Sequence, residues 1–178
     1  MDIRRIVTGR TPDGKSVFVS DEPVAPVTVD LLNGYEFHRM WGSDDTVRLP
    51  SDGAPPPHPQ YFPPTHGFRF GFFTIPPDQT GIPEDLDIGQ ALTELDERLP
   101  GLASVMEPDN PGMHTTDTVD YGIVMSGEVW LELDDGAEVL MKPGDCYVQN
   151  GTRHAWRNRS DAPCVIAVCL LGAEPPTD

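Results

Sequence analysis

Long apolar runs are missing from these 178 residues. The longest, Cys164 to Ala173, is about half of the roughly 20 residues that a bilayer-spanning helix needs, and the opening MDIRRIVTGR holds no apolar stretch of the kind a secretion signal uses. Cysteine is scarce: Cys146, Cys164 and Cys169 are odd in number and lack the spacing of a zinc ribbon, so reduced thiols in a cytoplasmic protein are expected. Basic residues are also few, 12 Lys and Arg against 29 Asp and Glu, for a net charge of -17. A surface of that sign repels phosphate backbones and anionic headgroups, which argues against nucleic acid and membranes as partners; beyond that, it reads as a solvated face. Glycine and proline, by contrast, are plentiful at 17 and 20, which suits turn-rich β structure in one domain with appendages.

Along the chain, residues 4–32 alternate short β-type runs (RRIVTG, SVFVSD, PVTVDLL) with turn signals, and Asp13-Gly14 marks a hairpin. From Leu49 to Pro64 the prolines of LPSDGAPPPHPQYFPP remove backbone donors and leave an extended surface loop, in which His58 and the nearby His66 are expected to be exposed or packing groups. FRFGFFTI, residues 68–75, reads as a strand. A period of two puts Phe68, Phe70 and Phe72 on one face, a pattern of core residues, and Arg69 on the other, where it would meet an anionic ligand if that face were the inner one. DLDIGQALTELDERLPG is the one good helix, with Ile88, Leu92 and Leu95 at helical spacing and Pro100-Gly101 ending it.

Beyond Pro111 short strands follow one another between turns at Ser126-Gly127, Asp135-Gly136, Pro143-Gly144-Asp145 and Asn150-Gly151. Such spacing indicates an all-β sandwich or barrel. In a strand, residues two apart share a face, so His114, Thr116, Thr118 and Asp120 project to the same side. An enclosed carboxylate without a partner is disfavoured by several kcal/mol, which requires that these groups bond to one another, to water or to a metal. His154, with Trp156 and Asn158 on its own face, is a candidate partner from another strand, and Trp156 is placed to line a pocket mouth. Tyr121 and Trp130 read as packing groups.

These motifs resemble those of the cupins. PGMHTTDTVDYGIVMSGE is similar to the first cupin motif, with His114, Asp120 and Gly127 in place, and KPGDCYVQNGTRHAWRN to the second, with Gly144, Asp145, Gly151, His154 and Asn158. The chain looks like a single-domain cupin of the conserved-barrel type, such as occur as small bacterial proteins and as accessory proteins of polyketide pathways. The resemblance implies a double-stranded β-helix, or jelly-roll, barrel over 111–173, an extension over 1–110 with short strands, the proline-rich loop and one surface helix packed on the barrel, and a disordered tail over 174–178. It also implies a homodimer paired through the sheets. Two departures stand out: Thr116 occupies the position of a second histidine, and Asp120 stands where most cupins have Glu.

Four readings of the site remain open. In the reading preferred here, His114, Asp120 and His154 as a facial set of ligands would hold a divalent metal, with iron, manganese, nickel or zinc admissible, in an enzyme that acts on a small organic carbonyl or aromatic compound by dioxygenase-like oxygenation or metal-assisted proton transfer, with Thr116 hydrogen-bonded to a metal-bound water. Without metal, Asp120 and His154 would be an acid–base pair in an isomerase, cyclase or decarboxylase. A third reading is a module that binds a small molecule without turning it over, and a fourth is a filled barrel in which His114 and Asp120 satisfy each other. Thr116, Thr118, Trp156 and Arg69 would line the pocket.

Overall fold

The structure, a computed structural model, describes residues 2–175. Its elements are β1 (Ile3–Arg10), β2 (Ser16–Val24), β3 (Glu36–Ser43), β4 (Phe68–Ile75), α1 (Ile88–Arg98), β5 (Thr118–Ser126), β6 (Val129–Glu132), β7 (Glu138–Met141), β8 (Cys146–Asn150), β9 (Ala155–Arg157) and β10 (Cys164–Gly172). β1 and β2 form the hairpin signalled by Asp13-Gly14, with Gly14 at a positive φ of 87°. The remaining strands make two antiparallel sheets, β3-β4-β10-β5-β8 and β7-β6-β9, which are not joined into a closed ring. Ile75, Val124, Cys164 and Ile166 of the larger sheet meet Val129 and Met141 of the smaller to form the core between them. Burying several aliphatic side chains at about 1.5–3 kcal/mol each is what fixes the two sheets face to face. The turn from β5 to β6 depends on Gly127: its φ is 72°, and a Cβ there would lie 2.4 Å from the Pro163 carbonyl oxygen.

The N-terminal stretch supplies more than a cover, because β3 and β4 are hydrogen-bonded into the main sheet through β10. PVTVDLL, by contrast, is not a strand. Only Val27 bridges to Phe37, and residues 30–32 turn as a short 3-10 helix. Of the tail expected at 174–178, residues 176–178 lie outside the described residues. No helix among the described residues is long and apolar enough to cross a membrane.

α1 begins at Asp87, whose carboxylate accepts the Gln90 N–H at 3.1 Å. Its buried face differs from the expected one: Ala91 and Leu95 are buried, and Leu99 and Leu102 continue that face against Phe37 and Val29, whereas Ile88 and Leu92 are half-exposed. Leu95 is common to both faces, but the helix is turned so that Ala91 and Leu99, rather than Ile88 and Leu92, accompany it inward.

Candidate functional site

Register decides which face of the large sheet looks inward. Gln149 pairs with Asp120, Asp120 with Leu170, and Leu170 with Arg69, so these four side chains share a face. It is the face of the core residues Val124 and Ile166. The expectation that Phe68, Phe70 and Phe72 form a core face is therefore overturned. They lie on the outer side, with Phe70 41% exposed, because the alternation that turns Arg69 and Phe73 inward turns them out.

Asp120 is 6% exposed, and its Oδ1 is buried without a hydrogen-bond partner. Burial pushes its carboxyl up to about 6, an effect that hydrogen bonding from Thr118 partly offsets. Thr116 and Thr118 are buried beside it, with their hydroxyls 2.8 Å apart. Two tyrosines close this part of the interior. The Tyr147 ring lies over Gly122, so near that an added Cβ would come within 2.2 Å of Cε1. Burial, then the Asp120 charge, pushes the Tyr147 hydroxyl up, and burial does the same to Tyr61 from the proline loop.

His114 and His154 adjoin each other through reciprocal backbone hydrogen bonds of 3.0 and 2.9 Å, and their ring centroids are 4.2 Å apart. Each ring is oriented in the same way: Nδ1 lies 3.1 Å from the Gly112 carbonyl oxygen in His114 and 2.9 Å from that of Thr152 in His154. A carbonyl only accepts, so each Nδ1 carries the proton and each Nε2 is left as a lone pair. Burial lowers the His114 imidazole, and burial followed by the His114 charge holds His154 at about 4. Both are neutral at pH 7. Trp156 packs edge-on to His154 at 5.8 Å and lies against Tyr147 and Phe73.

One continuous strand from His114 to Asp120 was expected, but β5 starts only at Thr118. His114 bridges to His154, next to β9 of the small sheet, while Asp120 sits in the large sheet between Leu170 and Gln149. Among the described residues no three His, Cys, Asp or Glu side chains gather closely enough to hold a metal ion. The donor set thus fits a metal in part: two imidazole nitrogens are correctly prepared, and the orphaned carboxylate oxygen belongs to a different strand and sheet.

The other expected residues have other duties. Arg69 is buried, but its guanidinium donates to the carbonyls of Gln60, Ser43, Phe68 and Phe62 and pairs with Asp44 at 2.5 Å. All five of its N–H groups are thereby engaged in pinning the loops around it. Asn158, fully buried, donates to the Ile75 and Ala162 carbonyls and fixes the turn into β10. Tyr147 and Gln149 were not picked out from sequence, although the alternation of CYVQN placed them on one face. Tyr61 carried no signal at all, since nothing in a proline loop predicts where its side chain folds back.

Two antiparallel sheets packed face to face around a partly polar interior form an open jelly roll. Residues 104–170 match the family model described as Cupin domain. A segment is 36% identical over 118 residues to Oryzines biosynthesis cluster protein J of Aspergillus oryzae, covering 61% of this chain and 63% of that protein. Another is 38% identical over 64 residues to Cupin-domain-containing oxidoreductase srdB of Neurospora crassa, covering 35% and 33%. Among solved structures, the polyketide cyclase RemF from Streptomyces resistomycificus aligns over 86% of this chain and 77% of that chain, at 16% identity and a TM-score of 0.46. The chain spans between a quarter and less than two thirds of the length of these and other curated relatives.

Proposed function

We propose that the space between the sheets is an enzyme site for a small organic carbonyl or aromatic compound, with Asp120 as the acid and His154 as the base of a proton transfer. The observation that carries this reading is the buried Asp120 Oδ1 with no partner, a group that a ligand, rather than the fold, would satisfy. A neutral His154 with Nε2 free takes the proton of a substrate hydroxyl, and Asp120, in the minority of molecules that its value near 6 leaves protonated at neutral pH, delivers one to carbon, converting an enol to its ketone. Solvent then restores both groups. Positioned proton transfer contributes about 10² to 10⁴ in rate. The test follows deuterium incorporation by NMR into a panel of enolisable ketones and phenols in D₂O. Wild type should exchange at least one of them, and Asp120→Asn should slow that exchange about 100-fold or more; an unchanged rate removes Asp120 from the chemistry.

A second reading is favoured by the two Nδ1–carbonyl hydrogen bonds, which prepare His114 and His154 as ligands, and by relatives whose names include oxidoreductase. A divalent iron, manganese, nickel or zinc ion bound there would supply Lewis-acid polarisation. Elemental analysis after metal supplementation decides it: a stoichiometric transition metal lost in His114→Ala supports it, and less than about a tenth of an equivalent, with no gain in thermal stability, refutes it.

Pairing of two copies belongs to the same proposal. The outer faces of β4, β10, β5 and β8 carry no charged residue, although the chain is strongly acidic. Phe70, Tyr121, Ile123, Met125, Val148 and Leu171 are exposed there. A second copy can approach such a face without like-charge repulsion. Light scattering should give twice the chain mass for wild type and the single mass for Tyr121→Lys; a monomeric wild type overturns the pairing.

A further inference from the structure

Arg39 sits on the inner face of β3, opposite Gly71 and just before the bulge at Met40. Only its Nη2 is engaged, donating to the carbonyl oxygens of His58 at 2.6 Å, Pro59 at 3.3 Å and Gln60 at 2.9 Å. Nε and Nη1 have no hydrogen-bond partner among the described residues. The Arg39 side chain helps to line a cavity of about 30 Å³ shared with Arg69, Tyr61, His58, Val168 and Leu170. That volume admits a carboxylate-sized group and not a whole ring.

Charge at the cavity is out of balance. Two guanidinium groups meet there, and among their hydrogen-bond partners in the described residues only Asp44 is a carboxylate, already paired with Arg69; every hydrogen-bond partner of Arg39 is a neutral carbonyl. Burial, then the charge of Arg69, lowers the Arg39 guanidinium, and the charge of Asp44, which Arg69 already engages, offsets this only in part. In a protein of net charge -17, a half-buried cation with free donors is a specific invitation to an anion.

We propose that Arg39 binds a carboxylate of the ligand, so that the substrate is an anionic organic acid held at one end by Arg39 while its remainder runs over Leu170 toward Asp120. The direction follows from register, because Leu170 stands between Arg69 and Asp120. Two strand spacings separate β4 from β5, roughly 10 Å, which is the length of a substituted aromatic acid. Only this placement of the far end rests on the proposed proton transfer; the anion site itself does not.

Calorimetry with benzoate and its neutral isostere benzamide tests the inference. Wild type should bind benzoate about tenfold or more tightly than benzamide, as one hydrogen bond to a charged group is sufficient to give. Arg39→Gln should bring the two within about threefold, and Arg39→Lys should restore part of the preference. Equal affinities in wild type, or a preference unaltered in a folded Arg39→Gln, overturn the proposal. Should Arg39→Gln fail to fold, a crystal structure of wild type with benzoate decides: a carboxylate on Arg39 supports the site, and one elsewhere overturns it. Asp120→Asn must retain the benzoate preference, so a failed proton-transfer reading and a failed anion site give different results.

Discussion

Asp120 offers a quantitative test because its carboxyl is held near 6, against an ordinary value of 3.8, chiefly by burial. For an acid whose folded value is raised, the sign runs as a penalty. Below about pH 4 the group is protonated in both states and costs nothing; above 6 the folded state must carry a buried charge, and the full cost applies. Two pKa units correspond to about 3 kcal/mol at pH 8, and linkage leaves about half of that at pH 5. Asp120→Asn removes the titration while keeping the shape. Its stability relative to wild type should therefore rise by about 1.5 kcal/mol between pH 5 and pH 8, whatever constant offset the new amide brings. In a chain of this length that is a relative shift of about 3–6 °C in Tm. Parallel thermal scans at the two pH values read it directly. A difference that does not change with pH, or that moves against the variant as pH rises, refutes the reasoning, since the carboxylate would then have a favourable partner in the fold.

Three further outcomes follow from the same interior. Gly122→Ala places a Cβ within 2.2 Å of the Tyr147 ring, and displacing that ring should cost about 1–3 kcal/mol in denaturant titration; an unchanged midpoint would show that Tyr147 is not seated there. Asn158→Ala leaves the buried Ile75 and Ala162 carbonyls without their donors and should cost about 2–4 kcal/mol, whereas a loss under 1 kcal/mol would deny the turn its dependence on that amide. On the acid side His154, held at about 4 against 6.5, is neutral in the fold and charged in the unfolded chain. Its contribution is complete above 6.5 and is lost as pH falls toward 4, by about 3 kcal/mol. Asp120 moves the other way over the same range, so the His154 loss, about 2.4 kcal/mol between pH 7 and pH 4.5, should appear without that offset only in Asp120→Asn, by urea titration at the two pH values.

Much of this fold was legible because period-two patterns and glycine turns are local. The strands after Pro111, the Asp13-Gly14 hairpin and the common inward face of Thr118 and Asp120 follow from spacing along one stretch of chain, and both side chains are buried; His114 and Thr116, expected on the same strand, lie before it begins. Where a partner decides, spacing was insufficient. FRFGFFTI alternates equally well on both faces, and only its pairing with β10 turns Arg69 inward and leaves Phe70 in solvent. The helix likewise presents two apolar stripes, and the one chosen by Phe37 and Val29 is Ala91–Leu95–Leu99. Arg39, Tyr61 and the loop 58–62 that they share are joined by side-chain to carbonyl bonds across about 20 positions, which no periodicity encodes.

The parting of Asp120 from the histidine pair has a structural cause. Between His114 and Thr118 the chain leaves its bridge to His154 and enters the large sheet, so the two halves of the motif end on different sheets. Facing sheets pack about 10 Å apart, which is more than an ion's coordination distance and close to the thickness of a flat organic molecule with its contacts on both sides. A carboxylate on one wall and two free imidazole nitrogens on the other are then suited to act on opposite sides of a ligand lying between them. On the proposals made above, the charge of Arg39 would set that ligand's orientation, and the unpaired Oδ1 of Asp120 would mark where its reacting atom lies.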